Sequence, residues 1–282
     1  MKRRQLLHTA TAGSAAMFLP AVIAKAGEGF EGILDSNVSL FRWPFRRLPL
    51  DETSLLVEKL RSLHVTTAWA GSFECCFHRD LGEANARLHR ECDTYPELIP
   101  VGTVDPSRRG WERDFDACVS GLQMPGLRLF PNLHQYSLDH PAVKRLFLRA
   151  AESGTFLQVV VTLEDSRTQP EQIAAPDADL RKLPDLMRAV PDVRIQLLNL
   201  RPGVSQLAAL KDLPGLFFDT ARADSVDGVA SLLAGTSPER VVYGSHSPFL
   251  IPEAALIRVH ESNLGFDTLR SVLRENSERM NP

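Results

Sequence analysis

The side chains of this chain that could do chemistry are its separate histidines, a group of close-set arginines and carboxylates that follow apolar runs. Beyond position 26 the histidines are His64, His78, His89, His134, His140, His246 and His260. No two stand at i, i+2 or i, i+4, so the sequence contains neither an HxH nor an HExxH metal motif. His64 precedes a strand-like run, His89 and His260 fall on helical stretches, and His140 begins one. Solvated or capping roles suit the last three, and His64 would fall at the stability end of its strand. His78, His134 and His246 instead follow apolar runs. With Glu74, Asp105, Glu164 or Asp219 they could rebuild a His/carboxylate metal site. Loop packing is the plainer role for His78. His246 is the foremost candidate for general acid–base work, because an imidazole titrates near neutral pH. The competing role is a structural histidine bonded to a backbone carbonyl. Asp35 could orient a neighbour or act as an acid, or it could cap a turn.

Arg42, Arg46, Arg47, Arg128 and Arg167 fall in or near the same segments. Guanidinium groups clamp carboxylates and phosphates at two points, so an anionic ligand is one expectation. Structural pairing with Glu164, Asp165 or Glu74 is the other. Trp43 and Phe45 are expected to line or cover a pocket, or to pack at its rim. Cys75, Cys76, Cys92 and Cys118 lack the spacing of a zinc ribbon or a redox CxxC. Buried or free thiols are the expectation, though an oxidising compartment would allow a bridge such as Cys92–Cys118.

These residues must be held by regular elements. Short apolar runs suited to strands buried on both faces are Gly32–Leu34, Val65–Ala70, Leu98–Thr103, Gly126–Phe130, Phe156–Val161, Val193–Leu198, Leu216–Asp219 and Arg240–Tyr243. Helical patterns lie between them: Glu52–Ser62, Leu81–Thr94, Trp111–Ser120, Pro141–Ser153, Asp179–Ala189, Val204–Lys211 and Ser225–Ala234. A terminal helical region spans Pro252–Met280. Strand then helix, eight times over, predicts an α/β fold, a single (β/α)₈ TIM barrel. An open doubly wound sheet is the rival, but no GxGxxG follows the first strand. In such a barrel, chemistry sits at the C-terminal ends of the strands. That face would gather Asp35, Asn37, Ser39, Arg42, Trp43, Arg128, His134, Tyr136, Arg167, Asn199 and His246.

The runs Gly126-Leu127-Arg128-Leu129-Phe130-Pro131, Gly244-Ser245-His246-Ser247-Pro248-Phe249 and Asn276-Ser277-Glu278-Arg279-Met280, with Tyr136 beyond the first, resemble the amidohydrolase-2 family in order and spacing. That family carries a GIKLHP-like turn after strand four, a GSDxPF-like turn after strand eight and an N-x-x-R-L-like segment in its last helix. The resemblance implies the amidohydrolase-like barrel and hydrolysis or decarboxylation of a small organic acid, amide or lactone. It also implies a metal, and here the chain departs from the pattern. Asn37 and Ser39 stand where the family has H-x-H. The run Gln158-Val159-Val160-Val161-Thr162 lacks the strand-five histidine, Asn199 replaces the strand-six histidine, and His246 replaces the strand-eight Asp. Asn and Ser are weak neutral ligands for a transition metal. The expectation is therefore a site without metal, with catalysis by His246, Asp35 and Arg128. Substrate contacts would come from Arg42, Trp43, His134, Tyr136, Asn37, Ser39, Asn199 and Arg167. The alternative is a divalent metal such as zinc on His78, His134 and His246. No other cofactor is expected.

The first 26 residues read as a twin-arginine export signal: Arg3-Arg4-Gln5-Leu6-Leu7, a weakly apolar run from Ala10 to Ile23, then Ala24-Lys25-Ala26. Residues 27–282 would form the barrel domain in the periplasm or another extracytoplasmic space. Cleavage would remove four cations from a chain of net charge −3, leaving about −7. An acidic chain without a basic run is a poor partner for nucleic acid or an anionic membrane, and no stable membrane insertion is expected once the signal is cut. Homo-oligomerisation stays open. The reading is thus an amidohydrolase-type hydrolase or lyase for a small anionic molecule. Its rival is a catalytically inactive barrel that binds a ligand or scaffolds a partner.

Overall fold

The computed structural model describes residues 30–165, 167–201 and 206–281. Residues 1–26, expected to be an export signal, lie outside them. Eight strands run parallel in the order of the sequence: β1 Ile33–Leu40, β2 Val65–Ser72, β3 Leu98–Thr103, β4 Gly126–Leu129, β5 Phe156–Val160, β6 Ile195–Leu198, β7 Leu216–Asp219 and β8 Val241–Val242. The ring closes where β1 meets the segment after β8. Ser36 N donates to Tyr243 O at 3.0 Å, Ser39 N donates to Ser247 O at 2.9 Å, and Val38 bridges Ser247 in parallel. The fold is the expected (β/α)₈ barrel.

Crossover helices follow the strands as right-handed βα units require. They are α1 Thr53–Ser62, α2 Leu81–Cys92, α3 Trp111–Asp116, α4 Pro141–Ser153, α5 Leu183–Ala189, α6 Gln206–Leu210, α7 Gly228–Gly235 and α8 Pro252–Glu261. A last helix, α9 Phe266–Arg270, continues through a wide turn at Ser271–Glu275 into Asn276–Met280. Local chemistry sets several ends. Asp80 caps α2 by accepting from Glu83 N at 3.0 Å. Pro141 opens α4, and Gly154 ends it in the left-handed region at φ 69°.

The interior of the barrel is layered. Towards the N-terminal ends of the strands, Leu34, Trp69, Val101, Phe156, Phe217 and Val242 pack with Met280 of the last helix. Trp69 and Phe156 stack with centroids 4.4 Å apart, an arrangement worth about 1 kcal/mol beyond its buried area. Above this lies a polar layer. At the C-terminal mouth a second apolar cluster forms from Trp43, Leu48, Phe73, Cys76, Phe130, Val160, Leu163 and Leu198, with Phe249 against it.

One expectation needs correction. β1 does not stop at Leu34 but runs to Leu40, so Asp35, Asn37 and Ser39 lie within the strand rather than in a loop after it. Polar side chains there are buried against neighbouring strands, which a pattern of hydrophobicity reads as loop. The cysteines follow the favoured expectation: all four are free and buried, with no Cys92–Cys118 bridge.

Candidate functional site

The polar layer begins with register. Arg128 on β4 is directly opposite Gln158 on β5, and Gln158 is opposite Gln196 on β6. In a parallel sheet such partners point the same way, here into the barrel. Arg128 Nε donates to Gln158 Oε1 at 2.8 Å, and Gln158 Nε2 donates to Gln196 Oε1 at 2.8 Å and to Ser36 O at 2.7 Å. Gln196 Nε2 then donates to Ser36 Oγ at 2.7 Å, whose hydroxyl donates to Tyr243 O at 2.7 Å. The guanidinium crosses to β1, where Nη1 donates to Val38 O and Ser39 Oγ, each at 3.0 Å. Gly71 on β2 makes this crossing possible, because a Cβ there would lie 2.6 Å from Nη1 and 2.8 Å from Cζ. Arg128 Nη2 is buried without a partner.

Two carboxylates accompany this cation. Asp35 Oδ1 accepts from Asn37 N at 3.1 Å and Ser245 N at 2.9 Å, while its Oδ2 is buried without a partner. Burial pushes the Asp35 carboxyl up to about 6, only partly offset by the hydrogen bonds from Ser245 and Asn37 and by the Arg128 charge. Asp219 accepts from Asn199 N at 3.0 Å and from Asn37 Nδ2 at 2.6 Å. Burial pushes it up to about 7 against those bonds, and the Asp35 charge adds to the rise. Burial lowers Arg128 to about 10, opposed by the charges around it, those of Asp219 and Asp35 among them. At neutral pH a full positive charge thus accompanies two carboxylates, Asp35 mostly ionised and Asp219 about half ionised.

His246 reaches the mouth in the left-handed region at φ 57° and is buried. Its ring sits against Leu163 O at 2.7 Å through Nε2. A carbonyl can only accept, so Nε2 carries the proton and Nδ1 keeps the lone pair. Burial pushes the imidazole down to about 3, further than the Leu163 carbonyl raises it. His246 is therefore neutral at physiological pH and a weak base. Of the two roles read from the sequence, the geometry favours the histidine held by a backbone carbonyl.

The remaining expected site residues divide between mouth and surface. Asn37 and Asn199 join the Asp219 network, with Asn37 Nδ2 donating to Asn199 Oδ1 at 2.9 Å and Asn199 Nδ2 to Thr162 O at 2.7 Å. Trp43 is buried and packs on Phe73, Phe77, Phe249 and Phe45 with centroids 5.1–5.5 Å apart, which covers the mouth. His134 turns its Nε2 to Cys75 O at 3.0 Å, and its Nδ1, like the Tyr136 hydroxyl, is buried without a partner. Arg42 and Arg167 are exposed, paired with Glu52 and Asp165. Arg46 pairs with Glu164 and Arg47 with Asp51. Of the five arginines, only Arg128 is buried in the barrel. Gln196, Ser36 and Gly71 escaped the reading of the sequence. A lone Gln inside an apolar strand, as in Ile195–Leu198, is the signal that could have marked the first.

The metal alternative does not fit these residues. His78 is exposed on the Asp80 backbone, His134 is bound to Cys75 and His246 to Leu163, so the three do not converge. Among the described residues no group of three or more His, Cys, Asp or Glu is placed to hold a metal. The inherited positions fare no better. Ser39 holds the Arg128 guanidinium, and Asn37 and Asn199 are spent on Asp219. A divalent ion about 4 Å from a guanidinium meets roughly 8 kcal/mol of repulsion at an effective dielectric of about 20.

No protein-family model and no curated protein matches the chain. Solved structures do match. A TIM-barrel protein from Bordetella bronchiseptica is 14% identical with a TM-score of 0.70, over 88% of this chain and 97% of its own. A 5-carboxyvanillate decarboxylase from Novosphingobium aromaticivorans, solved with manganese and 3-methoxy-4-hydroxy-5-nitrobenzoic acid bound, is 14% identical with a TM-score of 0.69, over 90% and 97%. Amidohydrolase 2 from Bifidobacterium longum subsp. infantis is 17% identical with a TM-score of 0.61, over 88% and 98%. By fold, this chain is similar to these barrels, an amidohydrolase 2 among them.

Proposed function

We propose that this protein is an amidohydrolase-type hydrolase or lyase for a small organic acid, bound at the strand ends under the Trp43 cover. The observation that carries this reading is the pair of buried, unpartnered polar atoms, Arg128 Nη2 and Asp35 Oδ2. Buried polar atoms are rarely left unpaired, and a donor and an acceptor spared by the protein suit a ligand. Arg128 would hold the carboxylate or steady a developing oxyanion. Trp43, Phe73 and Phe249 would face the organic part of the substrate. The solved decarboxylase with a bound nitrobenzoic acid supports an aromatic acid as one substrate class.

Proton transfer falls to the carboxylates rather than to His246, because a group near neutral pH serves best as acid and base. Asp219 at about 7 and Asp35 at about 6 meet that condition. In hydrolysis, ionised Asp219 takes a proton from water as its oxygen adds to the carbonyl carbon, then gives it to the leaving oxygen or nitrogen. In decarboxylation, the protonated form delivers its proton to the carbon that releases carbon dioxide. Export through a twin-arginine signal belongs to the same proposal and rests on residues 1–26.

A second reading has its own support. The apolar cluster over the mouth and the mutual satisfaction of Asn37, Asn199 and Asp219 suit a barrel that binds a small acid without converting it. A panel of lactones, amides and aromatic carboxylic acids, followed by proton NMR, separates the two. Turnover by the wild type that Asp219→Asn abolishes is the expected result. Saturable binding lost in Arg128→Lys, without turnover, moves the protein to the second reading. Neither binding nor turnover across the panel defeats both.

A further inference from the structure

We infer that the Arg128 guanidinium is the resident cation of this barrel and takes the place of a divalent metal between β1, β4 and β7. The inference uses the strand-end site but not the reaction proposed for it. Three independent features point to a built position rather than a stray side chain. Nε and Nη1 are directed: Nε meets Gln158, and Nη1 meets both Ser39 Oγ and the Val38 carbonyl on the opposite wall. The space is prepared, since at position 71 any side chain would overlap the guanidinium. The counter-charges are present: Asp35 and Asp219 are both buried and both feel the Arg128 charge or impose theirs on it.

The neutral side chains that could otherwise turn to a ligand, Ser39, Asn37, Asn199 and Gln158, are engaged by the protein itself. Ser39 Oγ accepts from the guanidinium, Asn37 and Asn199 bind Asp219 and one another, and Gln158 bridges Arg128 to Gln196. A metal entering here would have to displace the cation and strip these bonds. Arg differs from a metal in one useful respect: it keeps a fixed fork of donors, so the free Nη2 offers a directed hydrogen bond as well as charge.

The test begins with the full chain purified without chelator or affinity metal. Zinc and manganese chlorides serve as probes in elemental analysis and calorimetric titration. The inference expects less than about a tenth of an equivalent of metal as purified and no saturable binding below about 1 mM. Saturable binding tighter than that, lost in Asp35→Asn or Asp219→Asn, overturns it. The second arm uses Arg128→Ala. The expected result is a lower melting temperature, restored in part by millimolar methylguanidinium and not by methylammonium. A folded variant with the wild-type melting temperature and no response to methylguanidinium also overturns the inference. If Arg128→Ala does not fold, the metal titration of the wild type decides alone. A failed substrate panel leaves both arms intact, so the two proposals fail separately.

Discussion

Replacing His246 with Gln turns a buried neutral imidazole into a pH-dependent stability difference of predictable size. Gln reaches about as far as Nε2 and can donate to the Leu163 carbonyl, so the contact at 2.7 Å has a substitute. In the unfolded chain a histidine titrates near its ordinary value of 6.5, whereas burial holds the folded one at about 3. The unfolded state therefore binds the extra proton first. The histidine's contribution is whole above pH 6.5 and is lost as pH falls towards 3. From these values the loss is about 2 kcal/mol by pH 5 and about 4 kcal/mol by pH 3. The figure at pH 5 is set almost wholly by the unfolded value. Asp35 and Asp219 act in the opposite sense. Their folded values of about 6 and 7 exceed the unfolded 3.8, so the stability they confer is present in acid and fades as pH rises. Comparing the variant with the wild type at each pH removes this opposing contribution. Urea unfolding should show His246→Gln costing about 1–3 kcal/mol near pH 7.5, with that cost shrinking by about 2 kcal/mol near pH 5. A cost that changes by less than about 0.5 kcal/mol over that range would refute a buried, neutral His246.

Three further substitutions test the positions around it. Gly71→Ala should destabilise the chain by about 2–4 kcal/mol in urea unfolding, because a methyl group 2.6 Å from Nη1 displaces the guanidinium from its bonds; a neutral outcome would mean the crossing has room to spare. Met280→Ala should cost about 2–5 kcal/mol, since it leaves a void beside Trp69 and Phe156 in the lower apolar layer. Arg167→Ala should leave the urea midpoint unchanged, as the Arg167–Asp165 pair is exposed to solvent; a clear loss there would restore Arg167 to the working part of the mouth.

The barrel was legible in the sequence because its strands are buried on both faces and read as unbroken apolar runs. Leu98–Thr103 and Leu216–Asp219 match their strands end to end, and Pro141–Ser153 matches α4, where Pro141 and Gly154 mark the ends chemically. β1 was cut short at Leu34 for the opposite reason. Asp35, Asn37 and Ser39 face partners on other strands, and a rule built on hydrophobic periodicity assigns polar positions to loops. The candidate site was half legible on the same grounds. Asp35, Asn37, Ser39, Arg128, Asn199 and His246 were placed at the mouth by their position after or within a strand. Which arginine turns inward was only partly legible: Arg128 alone sits inside an apolar strand run, while the acidic partners that hold Arg42, Arg46 and Arg47 are seen only in space. The partner of His246 lies 83 residues away in sequence, beyond any local pattern.

The polar layer is closed almost wholly on itself. A buried carboxylate or amide left without a partner costs about 1–3 kcal/mol. Here the buried groups satisfy one another. An Asn at position 37 and another at 199 face Asp219, while Gln158 and Gln196 carry the guanidinium's bonds on to Ser36 and Tyr243. The network leaves two polar atoms of Asp35 and Arg128 unpaired, an acceptor and a donor on oppositely charged groups. A layer built only for stability would gain by closing that last pair, since the charge-assisted bond would be the strongest available there. Its remaining open is the feature of the layer that packing does not explain and that a bound organic acid would.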